Sequence, residues 1–248
     1  MQSLVLAGGY GTRLGSLTMN RSKVLLPVAG RPMVDYLLDQ LCEIPSLTEI
    51  VLVTNQRFHA DFVEWASQGS WPVPVRILND GTTNANDRLG AVGDVLFGIE
   101  KAGIDDDLLL VAGDNLCDFD LRRMEIVAKK RGSAVAAYDV GDIRAATRFS
   151  NLELGDDGRI TSFQEKPENP QSSLVAVAIY LIQRSDLGLF SRYRDEGNNL
   201  DLMGGFVQWA YMQTAMYGCV FDGHWWDIGD PKIYAEVDAH FCGSAEPK

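Results

Sequence analysis

The chain has 248 residues, 46% of them hydrophobic, which is enough for one sizeable buried core. Its 34 acidic residues against 22 basic ones leave a net charge of −12, the wrong balance for a nucleic-acid binder, and no apolar run approaches the roughly 18 residues of a membrane span. Cys42, Cys117, Cys219 and Cys242 are scattered without a C-x-x-C pair, and with only three histidines a disulfide framework and a His-rich metal site are both excluded.

In chain order, Ser3–Ala7 reads as a buried strand that empties into Gly8-Gly9-Tyr10-Gly11-Thr12-Arg13-Leu14. Glycines at a strand end let the backbone approach a ligand closely and leave amide N–H groups free for phosphate oxygens. Arg13 and Lys23 add fixed positive charge suited to a polyphosphate. The run is not a Walker loop, since no Gly-Lys-Ser/Thr ends it, and it is a poor dinucleotide fingerprint, because the third glycine of G-x-G-x-x-G falls on Leu14. The ligand class it points to is nucleotide phosphate.

Pro32 opens a helix in which Met33, Val34, Leu37, Leu38 and Leu41 recur at helical spacing. Glu49–Asn55 is a second continuous apolar strand, followed by an amphipathic segment through Phe58, Phe62, Val63 and Trp65. Val75–Asn79 is a third strand, Asn79–Arg88 a polar loop whose Asn84 and Asn86 either read a base or cap a turn, Leu89–Ala102 a helix and Leu108–Ala112 the next strand. Continuous apolar strands separated by helices predict a parallel sheet covered on both faces, with ligands beyond the carboxyl ends of its strands. Gly8–Arg13 and Gly113-Asp114 both fall there.

The second half reads as more antiparallel. Ala134–Val140 is a strand, and Phe149–Leu154 turns at Asp156-Asp157-Gly158 into Ile160–Glu165. Leu174–Ile182 is another strand, Leu200–Met212 a helix, Ala215–Phe221 a strand, and a last helix starts at Pro231 behind an N-capping Asp230. The expected architecture is a single α/β domain over residues 1–243, Rossmann-like, with a mostly parallel sheet and an antiparallel subregion. Residues 1–132 would mainly bind nucleotide and 133–243 mainly the second substrate, with 244–248 a tail. Without a charged leader ahead of the first strand, and with unpaired cysteines, a cytoplasmic location is expected.

Four blocks in order carry a resemblance: the Gly8–Leu14 run with Lys23 and Leu25-Leu26-Pro27, Gly113-Asp114-Asn115, Phe163-Gln164-Glu165-Lys166-Pro167, and Trp226-Asp227-Ile228-Gly229-Asp230-Pro231. Together they resemble the sugar-phosphate nucleotidylyltransferases, such as the glucose-1-phosphate thymidylyl- and uridylyltransferases. The resemblance implies attack by a sugar-1-phosphate oxygen on the α-phosphorus of a nucleoside triphosphate, giving an NDP-sugar and pyrophosphate. That nucleophile is already an anion, so the chemistry asks for positioning and charge neutralisation rather than a general base.

The roles that follow from the resemblance are these. Mg²⁺ would be held by Asp114 and Asp227. Leu6, Ala7, Gly8, Gly9, Gly11, Thr12 and Arg13 would hold the nucleotide, with Asn79 and Gly90 near its base. Arg13 and Lys23 would act on the triphosphate during transfer, and Asn115, Glu165, Lys166 and Ala178 would hold the sugar phosphate. The partners implied are an NTP and a phosphorylated acceptor, with no nucleic acid and no membrane, in a family that is often homo-oligomeric. Glucose-1-phosphate with dTTP or UTP is the first expectation. Transfer of CMP or GMP to another sugar, polyol or choline phosphate is one alternative, and a catalytically silent regulatory subunit is another. Three positions depart from the pattern. Ser150 and Ala178 stand where relatives carry glycines beside the sugar, and Asp94, where small apolar residues are frequent, is expected to face solvent.

Overall fold

The computed structural model describes residues 1–244. The first half contains β1 (Gln2–Leu6), a 3-10 turn at Thr12–Thr18, another at Lys23–Leu25, the small hairpin β2 (Pro27–Val28) and β3 (Arg31–Pro32), α1 (Met33–Cys42), β4 (Glu49–Thr54), α2 (His59–Gln68), β5 (Val75–Asn79), α3 (Ala91–Ala102) and β6 (Leu108–Ala112). In the second half are β7 (Asn115–Cys117), α4 (Arg122–Arg131), β8 (Ala134–Asp139), β9 (Ser150–Leu154), β10 (Ile160–Gln164) and β11 (Leu174–Ile182). The chain continues through α5 (Gly188–Asp195), α6 (Met203–Ala210), β12 (Tyr217–Phe221), β13 (Trp225–Asp227) and α7 (Pro231–Ser244).

The continuous apolar strands are explained by two cores rather than one. Along β1, Leu4 packs into one core while Val5 and Ala7 pack into the other. The same alternation runs through β4, where Ile50 and Leu52 oppose Val51 and Val53, and through β6, where Leu109 and Val111 oppose Leu108 and Leu110. One face is covered by α1, α2 and α4 through Leu37, Leu38, Phe62 and Met124, the other by α3, α5 and α6 through Val92, Val95, Phe190 and Phe206.

The sheet runs β10-β9-β11-β6-β1-β4-β5, with β8 also on β11 and β12 on β8. β6, β1, β4 and β5 are parallel. The chain builds outward from β1 to β4 and β5, then returns to the other side of β1 as β6, so the winding reverses between β1 and β6. A crevice opens at the carboxyl ends of strands that diverge in this way. β11 is antiparallel to β6, and its first half pairs with β9 instead. The change of neighbour falls at Ala178, where the register against β8 shifts and φ is +55°.

The Asp156-Asp157-Gly158 turn joins β9 and β10 as an antiparallel pair, as the sequence predicts. Two helices, α4 and α5, and the ribbon of β7 with β13 are additional to the predicted elements. The expected helix at Leu89 starts two residues later. Gly90 takes φ +82° and lies against the backbone of Leu200 and Asp201, a place with no room for a side chain. The N-terminal turn Asp230 is confirmed by its Oδ1, which accepts from the amides of Lys232 and Ile233 at 2.9 and 3.0 Å. Among the described residues no helix is long and apolar enough to cross a membrane.

Candidate active site

The glycine run leaves β1 and folds as a tight turn. Gly11 has φ +63°, and a Cβ there would stand 2.9 Å from the Thr18 methyl. Thr18 Oγ1 donates to the Gly11 carbonyl at 2.7 Å, which fixes the loop from below. Leu6, Ala7, Gly9, Gly11, Thr12 and Lys23 line a hollow of about 250 Å³, the phosphate-sized space expected of this run. The side chain of Arg13, expected at the triphosphate, lies outside the described residues.

This hollow adjoins a larger cleft of about 420 Å³ at Leu6, Gly9 and Asp114. Asp114 and Asp227 both line the cleft, brought together by β7 and β13: Asp227 is paired with Asn115, the residue after Asp114. Lys23, mostly buried, donates to Asp114 Oδ2 and to the Ile228 carbonyl. Among the described residues no group of three or more His, Cys, Asp or Glu is arranged to hold a metal ion. The donor set on offer is therefore two carboxylates beside the phosphate hollow. That set fits Mg²⁺, which takes one or two carboxylates and fills its other positions with water and substrate phosphate oxygens.

At the far end of the cleft, β10 delivers Glu165 and Lys166, the latter at φ +45°. Ser150 donates to Glu165 Oε2, Gln208 Oε1 accepts from the Glu165 amide at 2.8 Å, and the carboxylate lies on Gly204, where a Cβ would stand 1.8 Å from Oε2. Ser150 therefore orients Glu165 as well as adding its own atoms to the wall. Arg148, not foreseen as a site residue, joins Lys166 at this end, its guanidinium 5.4 Å from the ring of Phe149. Nothing in the sequence marks it, because the 3-10 turn that places it has no strong signature.

Asn115 holds the cleft together. Its Nδ2 donates to the carbonyls of Val177 and Ala178 at 2.6 and 3.3 Å, and its Oδ1 accepts from the Trp225 indole at 2.9 Å. These bonds occupy both ends of its amide and pin the kink at Ala178. Asn79, expected near the base, donates to Gln56 at 2.7 Å and accepts from the Gly81 amide, and the next residue, Asp80, lines the cleft instead. In the loop beyond, Asp87 accepts from the amides of Thr83 and Asn84, and Asn84 Oδ1 accepts from the amide of Asn86, so Asn84 caps a turn.

Asp94 corrects the sequence reading. It does not face solvent: it is 8% exposed, lines the cleft, and its Oδ1 is buried without a hydrogen bond. Burial, with Asp80's charge nearby, pushes its carboxyl up to about 7. Asp80 is also raised by burial, in part offset by its bonds from the Thr82 amide and hydroxyl at 2.6 and 2.8 Å.

A doubly covered, mostly parallel sheet with a glycine-rich loop at its winding switch defines a Rossmann-like α/β fold. Comparison with known proteins narrows this class. The family model described as nucleotidyl transferase matches residues 2–243, and the chain belongs to that family. It is 30% identical to a glucose-1-phosphate adenylyltransferase of Thermomicrobium roseum, over 95% of this chain and 58% of that protein. A glucose-1-phosphate thymidylyltransferase of Neisseria meningitidis is 29% identical over 73% of this chain and 60% of that protein. The chain thus spans about three fifths of the length of these curated relatives. Among solved structures, a Bacillus anthracis protein provisionally named a glucose-1-phosphate thymidylyltransferase superposes with TM-score 0.81 at 25% identity, covering 100% of this chain and 98% of that one. A UDP-glucose pyrophosphorylase complexed with UDP-glucose gives TM-score 0.81 at 19% identity over 98% of each chain, which shows the fold.

Proposed function

We propose that the chain transfers a nucleoside monophosphate from a nucleoside triphosphate to a sugar-1-phosphate, releasing pyrophosphate. The observation that carries this reading is the continuity of the two hollows through Asp114. A phosphate-sized space lined by glycines and Lys23 opens directly into a cleft that ends in Glu165 and Lys166. One substrate's phosphates can therefore meet another's across a pair of aspartates. The relatives' names supply the reaction class, and glucose-1-phosphate is the first acceptor to try.

In this reading Lys23 holds the phosphate being transferred, and the Gly8–Thr12 backbone and Arg13 hold the triphosphate. Lys166 holds the sugar phosphate, and Glu165, oriented by Ser150 and Gln208, accepts from sugar hydroxyls. Asp114 and Asp227 would hold Mg²⁺, which supplies neutralisation of phosphate charge. No residue need remove a proton, because the attacking phosphate oxygen is already ionised. Residues 1–132 would serve mainly the nucleotide and 133–243 mainly the acceptor. The cysteines, free in the fold, fit a reducing compartment such as the cytoplasm.

The test is pyrophosphate release from each of ATP, GTP, CTP, UTP and dTTP with glucose-1-phosphate or mannose-1-phosphate, in Mg²⁺ and again in chelator. Magnesium-dependent release in at least one combination supports the reading. Folded protein that binds nucleotide but releases no pyrophosphate in any combination overturns it in favour of a regulatory role.

A further inference from the structure

Among the described residues, four cations line the two hollows, and three of them are already matched. Lys23 is paired with Asp114, Arg88 with Asp201 at 3.0 Å, and Lys166 stands 3.7 Å from Glu165 Oε1. Arg148 is the fourth. Its guanidinium has no ion pair or hydrogen bond with any described residue, and its one contact is with the ring of Phe149. In a chain of net charge −12, a cation left without a carboxylate in the wall of a substrate cleft is suited to an anion that arrives from outside.

Arg148 is held where it stands. It enters β9, whose Asn151 and Leu152 pair with Gln164 and Phe163 of β10. The same register carried on sets Ser150 beside Glu165, as their hydrogen bond shows, and Phe149 beside Lys166. The Phe149 ring meets Trp225 edge-on at 5.0 Å, and the Trp225 indole is fixed to Asn115 Oδ1. The guanidinium therefore rests on a ring that is anchored to the cleft, a contact that suits the flat arginine head.

Position separates Arg148 from the acceptor's own phosphate. In the transfer proposed above, on which this inference rests, that phosphate must meet the α-phosphorus beside Asp114 and Asp227, within reach of Lys166. Two successive ring contacts, Trp225 to Phe149 and Phe149 to Arg148, separate the guanidinium from the strand that carries Asp227. The far side of the sugar belongs there, and neither glucose nor mannose carries a charge on it.

We propose that Arg148 is a specificity-determining residue, and that the acceptor is a sugar-1-phosphate bearing a second anionic group, a carboxylate or a phosphate, on the side of the sugar away from its 1-phosphate. A guanidinium takes either group through two parallel N–H bonds.

The test is calorimetric binding of glucose-1-phosphate, glucuronic acid 1-phosphate and glucose-1,6-bisphosphate. Each is measured alone and with Mg²⁺ and the α,β-methylene analogue of each triphosphate, which cannot release pyrophosphate. The first probe is neutral at its sixth carbon, the second carries a carboxylate there and the third a phosphate. Wild-type protein should bind the second or the third about 10-fold more tightly than glucose-1-phosphate, and the stronger arm names the group. Arg148→Gln should bring that ratio close to one, and Arg148→Lys, which keeps the charge without the fork, should retain part of it. Lys166→Ala should weaken all three probes alike and leave the ratio standing. Glucose-1-phosphate binding as tightly as both other probes overturns the proposal, as does a preference unchanged in Arg148→Gln or lost equally in Lys166→Ala. Pyrophosphate release with glucose-1-phosphate and no such preference would leave the transfer reading standing while this one falls. A preference abolished in Arg148→Gln, with no pyrophosphate release from any probe and triphosphate, would do the reverse.

Discussion

Lys23 and Asp114, 91 positions apart, are joined at the mouth of the phosphate hollow by a charged hydrogen bond, and the same ammonium reaches the Ile228 carbonyl at 2.9 Å. The lysine follows the glycine loop, the aspartate follows β6, and Ile228 follows β13, so a single cation links the three segments that meet at the site. The pair keeps a largely buried ammonium matched while no phosphate is present. In the proposed reaction a bound nucleotide with its metal would exchange these partners, Lys23 for phosphate and Asp114 for the metal.

Asp114→Asn keeps the shape and leaves Lys23 an amide oxygen to donate to, but removes the charge. Turnover should fall by a factor of about 100 or more, as for loss of one electrostatic contact to the reacting groups. The melting temperature should move by only a few degrees. Rate measurements paired with thermal melts check this, and near-wild-type turnover would remove Asp114 from the metal set.

Lys166→Ala should raise the KM for sugar phosphate at least 10-fold while nucleotide binding stays within about twofold. Gly204→Ala should act on the same substrate by another route, since its methyl would fall 1.8 Å from Glu165 Oε2 and push that carboxylate off Ser150. Steady-state kinetics in both substrates separates these effects. An equal loss in both substrates would contradict the division of the cleft.

Ala178 tests the strained kink. Left-handed backbone costs a residue with a Cβ about 1–2 kcal/mol, while glycine adds about 0.5–1 kcal/mol of chain entropy, so Ala178→Gly should be neutral or stabilising by up to about 1 kcal/mol. Ala137, equally an alanine but buried in β8 and paired in register with Ala176 and Val220, is the control, and its glycine variant should be clearly destabilised. Urea denaturation gives both numbers. Ala178→Gly should also shift acceptor use towards a hexose, because the alanine side chain adds atoms to the acceptor end of the cleft.

Asp94 makes stability depend on pH. Its folded carboxyl titrates near 7, above the unfolded value of 3.8. The folded state therefore binds more protons between these values, and stability is lost as pH rises from about 4 to 7, then levels off. Asp94→Asn lacks this term. Its stability advantage over the wild type should widen by about 2–3 kcal/mol between pH 5 and pH 8 in the absence of nucleotide. Denaturant melts at the two pH values test it, and parallel curves would show that Asp94 is not ionising in the buried site.

Much of this was legible from residue pattern. The apolar runs of β1, β4 and β6, buried on both faces, announce a covered parallel sheet, and the glycines after β1 announce a phosphate site beyond it. What pattern reading missed is decided by tertiary contact. In the first turn of an amphipathic helix an aspartate normally reads as a solvated, dipole-favoured charge. Only the approach of Gly8 on β1's exit turns Asp94 into a buried wall residue. Asn115 follows Asp114 and reads as a substrate ligand, and β11 and Trp225, both remote in sequence, take up its amide. The break in β11 at Ala178 leaves no trace in the periodicity of its nine apolar residues, and its one signal is the glycine that the resembled family carries at that position.

The most direct test of nucleotidyl transfer follows oxygen. With sugar-1-phosphate carrying ¹⁸O in its phosphate, Mg²⁺ and the preferred triphosphate, mass spectrometry of the products reports which bond forms. Attack by the sugar phosphate on the α-phosphorus predicts a nucleotide-sugar that retains every labelled oxygen, together with unlabelled pyrophosphate. Unlabelled nucleotide product, labelled pyrophosphate, or nucleoside monophosphate formed with water alone would contradict it.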